Sequence, residues 1–105
     1  MSIKTEIISS ETLYKGSTKS IEINKFYDFH GESIDEGQDT LTFDKPVDFE
    51  IKKEMVRWHF EYGDPTDFEN WTLFINGKEK KLQVEIVGYK VLKNRLILSG
   101  CVGAG

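Results

Sequence analysis

The carboxylates are the residues of this chain with the widest chemical scope, and they are unevenly spread. From Phe26 to Asp44 there are six acids, Asp28, Glu32, Asp35, Glu36, Asp39 and Asp44, and no Lys or Arg. A second interval without basic residues, between Arg57 and Lys78, carries Glu61, Asp64, Asp67 and Glu69. Clustered oxygens suit a hard cation such as calcium. Numbered as an EF-hand loop from Asp28, however, the chain puts His30 at position three, Glu32 at five and Ser33 where the turn glycine belongs. Position twelve is Asp39, shorter than the usual bidentate Glu, and the flanks alternate like strands. The EF-hand fails. Any other calcium site would have to join this stretch to Asp64, Asp67 and Glu69. Zinc finds only His30, His59 and Cys101, with no pair at ligand spacing. No metal and no cofactor are expected.

Other reactive groups have no supporting pattern. The chain contains no G-x-S-x-G elbow and no phosphate-cradling glycine motif. Cys101 lies in the Gly-rich stretch SGCVGAG, a poor frame for a thiolate. Carboxylate pairs for glycoside cleavage exist in any acidic chain, and nothing here selects one. The sequence is therefore expected to be non-catalytic. Asn70-Trp71-Thr72 matches the glycosylation triplet, but no export signal accompanies it.

The elements that must position the acids read with a period of two. Ile21 and Ile23 alternate with Glu22 and Asn24; Leu41 and Phe43 alternate with Thr40 and Thr42. After Lys45-Pro46, Val47, Phe49 and Ile51 alternate with Asp48, Glu50 and Lys52. Val56, Trp58, Phe60 and Tyr62 then predict a core-facing set, with Arg57, His59 and Glu61 opposite. Trp71, Leu73 and Ile75 run into Asn76-Gly77, a pair that accepts positive φ at both centres of a hairpin turn. Leu82, Val84 and Ile86 are the expected return strand, with a bulge or bend at Gly88. A second hairpin is expected at Lys93-Asn94, pairing Tyr89 and Val91 with Leu96 and Leu98. Residues 3–14 read as either a short helix or an edge strand. The expectation is an all-β antiparallel sandwich or barrel of about seven or eight short strands, the alternative being an antiparallel sheet with one short helix. Residues 1–105 fit one domain, with 100–105 a frayed tail.

Composition narrows the partners. A net charge of −4 argues against nucleic acid and against an anionic membrane surface. No apolar run is long enough to cross a bilayer, the N-terminus lacks a signal-peptide core, and the single Cys allows no internal disulfide, so a cytoplasmic location is expected. Between Lys78 and Arg95, six basic residues face two acids, which predicts one basic hairpin opposing the acidic segments. Two acidic, aromatic-bearing loops, Tyr27 to Asp39 and Tyr62 to Trp71, suit a basic protein surface: aromatics supply contact area and carboxylates steer the encounter. The expected partner-binding residues are Asp28, Glu32, Asp35, Glu36, Asp39, Asp64, Asp67 and Glu69. By size and charge alone, the chain compares with immunity-type proteins and with inhibitors of nucleic-acid-binding proteins. Two rival readings are a virion or secretion subunit assembling through strand edges, and a carbohydrate- or calcium-binding module.

Overall fold

Alternation carries nearly the whole chain into strands, and two of them are far longer than the sequence breaks suggest. The computed structural model describes residues 4–29 and 32–102, with backbone alone for 28, 29 and 32–36. Six strands follow: β1 (Lys4–Phe29), β2 (Glu32–His59), β3 (Thr66–Ile75), β4 (Lys78–Lys80), β5 (Val84–Leu92) and β6 (Arg95–Val102). They form one mixed, unclosed sheet in the order β4-β3-β2-β1-β6-β5. Among the described residues there is no helix, so residues 4–14 take the strand option.

Three expectations are corrected. Lys45-Pro46 does not separate two strands, because β2 passes through it with a local shift of register. Between Thr18↔Val47 and Ser20↔Thr42, β1 leaves only Lys19 unpaired while β2 leaves residues 43–46. Pro46, which has no N–H to donate, falls in that unpaired stretch. Thr18, buried, closes the bend: its Oγ1 donates to the Ser20 carbonyl (2.8 Å) and accepts from the Ser20 N–H (3.2 Å). Three further shifts, at Ile8, Leu13 and Glu36, each leave one residue unpaired and add twist. The sheet is also not wholly antiparallel, since β6 runs parallel to β1 from Ile21↔Leu96 to Phe26↔Cys101. A parallel neighbour needs a long crossover, and here β2 to β5 supply it. Finally, Gly100 to Val102 are ladder residues of β6, whereas 103–105 lie outside the described residues.

The turns fall where expected. Asn76 (φ 51°) and Gly77 (φ 82°) join β3 to β4, and the Asn76 side chain accepts from the Asp48 N–H while its own N–H donates to the Asp48 carbonyl. Lys93 and Asn94 join β5 to β6 with Tyr89↔Leu98 and Val91↔Leu96 in register, and the β5 bulge lies between Ile86 and Gly88. Leu82, Val84 and Ile86 are not the return strand for β3. That role goes to the three residues of β4, and Val84 and Ile86 belong to β5.

The core draws on five strands: Ile21 and Ile23, Phe49 and Ile51, Leu73, Ile86, and Leu96 and Leu98. Tyr14 stacks on Phe49 with centroids 5.8 Å apart, and Tyr89 meets both Tyr14 and Trp71. β5 therefore folds across the face of β1, β2 and β3. The two sheet edges, β4 and β5, are joined by only Lys81 to Gln83, which holds their ends within about 15 Å.

Candidate functional site

The parity of β2 decides what its far end exposes. The β2–β3 ladder runs from Phe49↔Ile75 to Trp58↔Thr66 without a shift. Ile51 faces the core, so Lys53, Met55 and Arg57 continue that inner face, and Val56 and Trp58 lie on the outer one. The expected core-facing set is thereby overturned. Trp58 is 38% exposed and Tyr62 83% exposed, and Val56, though buried, is not part of the main core. On the outer face Trp58 packs edge-on to Phe68 (4.7 Å) and Phe60 (6.2 Å), and Ile7 pairs with Val56 while remaining 62% exposed. The clue in the sequence is a change of parity, with odd apolar positions up to Ile51 and even ones from Val56.

The inner face of the same end is a ladder of charges. Arg57 holds Asp67 through two hydrogen bonds, Nε to Oδ1 at 2.8 Å and Nη2 to Oδ2 at 3.1 Å, which keeps the Asp67 carboxyl below its usual range. Lys53 lies between Glu11 (3.4 Å) and Glu69 (3.6 Å), and Trp71 Nε1 donates to Glu69 Oε2 at 3.4 Å. His59 Nε2 is 3.8 Å from Glu6. Asp64, in the connection from β2 to β3, is exposed and has no ion pair among the described residues; the same holds for Glu61.

The other acidic segment is not a loop. Tyr27 to Asp39 spans the tip of the β1–β2 hairpin, with Asp28↔Ser33, Phe29↔Glu32 and Phe26↔Asp35 in register and Glu36 at a bulge. The side chains of Asp28, Glu32, Asp35 and Glu36, and all of His30, lie outside the described residues. Asp39 is paired with Lys25 at 3.3 Å. Because β2 connects the two acidic segments end to end, they occupy opposite ends of the β1–β2 ribbon. A site needing both segments is therefore not assembled, and no group of three His, Cys, Asp or Glu side chains suits a metal among the described residues. The basic residues are likewise divided. Lys78 and Lys80 lie on β4, while Lys90, Lys93 and Arg95 belong to the β5–β6 hairpin.

A groove lies beside this end. Phe68 to Trp71 of β3 form one wall and Glu85 to Val87 of β5 the other, enclosing about 430 Å³. Both walls are runs of consecutive residues, so strand edges line the groove. No protein-family model, curated protein or solved structure matches the chain.

Proposed function

We propose that the chain is a small non-catalytic binding module that meets a basic surface of a partner protein, in the manner of an inhibitor or immunity-type protein. The carrying observation is the outer-face patch of Trp58, Phe60, Phe68 and Ile7, beside Tyr62 and beside Glu61 and Asp64, which have no ion pair among the described residues. Exposed aromatics next to solvated carboxylates provide apolar contact area with a charged rim, which is how an interface selects a basic partner. A surface that otherwise binds nucleic-acid phosphates has the matching charge. The Asp28, Glu32, Asp35 and Glu36 hairpin tip is a second contact region, separate from the first. In this reading the bent sheet is a barrel left open along the seam between β3 and β5. Capture from native host lysate tests it. Wild-type protein is expected to retain a basic protein at low salt and release it at high salt, and Trp58→Ala with Asp64→Lys should lose it. Equal capture by that variant overturns the assignment.

A second reading, a subunit that assembles with its own copies through strand edges, draws on the stretch of β3 before Leu73 that the three-residue β4 leaves uncovered. Light scattering after size exclusion separates them: a ring or filament favours assembly, a monomer the binding module.

A further inference from the structure

We propose that the free edge of β3, from Thr66 to Thr72, accepts an extended basic segment of a partner protein as an added strand, with Glu85 on the opposite wall. The inference rests on the reading of the chain as a binder of basic proteins and adds how the partner is held. β4 pairs with β3 only at Leu73, Phe74 and Ile75. Over the preceding seven residues β3 has β2 on one side and no ladder partner on the other among the described residues. Thr72, where β4 ends, has its hydroxyl buried without a hydrogen-bond partner among the described residues.

Proteins blunt free edges with lysine, proline, bulges or very short strands. The other free edges among the described residues follow that rule: β4 is three residues long and carries Lys78 and Lys80, and β5 is bulged at Val87 and carries Lys90. β1 before Ile21 carries Lys4, Lys15 and Lys19 and is bulged at Ile8 and Leu13, and β2 before Phe49 carries Lys45 and Pro46. The Thr66–Thr72 edge has no lysine, no proline and no bulge; its guarding charges are the acids Asp67 and Glu69, which repel an acidic strand and admit a basic one. Its charge selects the occupant. Glu69 and Glu85 stand on the two walls, and Lys53 is already shared by Glu11 and Glu69. An incoming strand with lysine or arginine alternating with apolar residues pairs its backbone with β3, sets its inward cations at Glu69, covers Phe68 and Val87 with its outward apolar residues, and runs beside the acidic Glu85 of the opposite wall. A β3 edge from a second copy brings Asp67 and Glu69 against themselves, which is repulsive.

The test uses the full chain and a peptide of alternating lysine and valine about ten residues long. Amide hydrogen exchange followed by NMR should slow by roughly tenfold or more at groove-facing amides between Thr66 and Thr72. Glu85→Lys, at an exposed site with no ion pair among the described residues, should weaken peptide binding by roughly tenfold with an unchanged spectrum elsewhere. Binding that perturbs Trp58 and Tyr62 without protecting the β3 edge overturns strand addition and leaves the binding reading standing. No binding at millimolar peptide, or equal protection by a glutamate–valine peptide, overturns the proposal. Protection that rises with protein concentration in the absence of peptide overturns it in favour of a second copy.

Discussion

Gly100 sits between two ladders, opposite Ile86 in β5 and Lys25 in β1. A Cβ built there would lie 2.7 Å from the Val84 Cβ, closer than side chains tolerate, would strike a Val84 methyl, and would come within a tight 3.3 Å of the Glu85 carbonyl. Gly100→Ala is therefore expected to destabilise the fold by about 1–3 kcal/mol, the usual cost of overpacking. Adding Val84→Ala should return part of that loss, because the two sites share one contact. Urea midpoints of the single and double variants measure both effects, and equal midpoints for wild type and Gly100→Ala contradict the close approach. The sequence marks Gly100 only as one of several glycines near the C-terminus. The constraint on it comes from a valine sixteen positions earlier (100 − 84), which no local pattern reveals.

Elements were legible where the signal is local. Asn76-Gly77 and Lys93-Asn94 carry their turns in their own backbone preferences, and Tyr89 and Val91 find Leu96 and Leu98 by counting outward from the second turn. Two things were not legible. Parallel pairing of β1 with β6 depends on a crossover rather than a turn, and the face shown by Trp58 depends on β2 staying in register through Lys53 and Glu54. The same distance hides the candidate groove, whose walls belong to strands that never pair. The acids, by contrast, were plain to read, although not their partners. Glu22 shows what a partner does. Arg95 donates Nε to Oε1 (2.7 Å) and Nη2 to Oε2 (2.8 Å), and Gln38 adds a third bond, tying β6, β1 and β2 together. The hydrogen bonds from Arg95, with its charge, hold the Glu22 carboxyl below its ordinary range. A lowered folded-state value means that the contribution is complete above the ordinary glutamate range and is lost as pH falls through the lowered one. Glu22→Gln is thus expected to flatten the decline of stability in acid while changing little at neutral pH, where an exposed pair contributes little. Chemical denaturation from neutral pH down to about pH 3 reads this directly, and parallel curves for the two proteins refute it.

At the scale of the molecule, 50 × 32 × 19 Å along its principal axes, the acidic segments belong to opposite ends of one ribbon. Charge reversal at the hairpin tip (Asp35→Lys, Glu36→Lys) and at the β2–β3 connection (Glu61→Lys, Asp64→Lys) should each weaken binding to the captured partner and flatten its salt dependence. Their effects should add to within about 0.5 kcal/mol, as they do for distant sites. Titrations of the two doubles and the quadruple variant at two salt concentrations test this, and strong coupling would mean that one compact surface holds both segments. The parallel pair of β1 and β6 has a consequence for how the chain reaches its shape. Glu22 and Arg95 are 73 residues apart, and half of the core, Ile21, Ile23, Leu96 and Leu98, lies on the strands they join. Closing so long a segment carries an entropic cost before any burial rewards it, which places the chain among slow folders of high contact order. On a ribosome, β1 and β2 emerge before β6 and can form their ribbon, but the flank that β6 will occupy stays vacant until β6 has been made. For that interval Ile21 and Ile23 lie open to any other strand within reach, so the order of synthesis is itself a hazard that this topology has to survive.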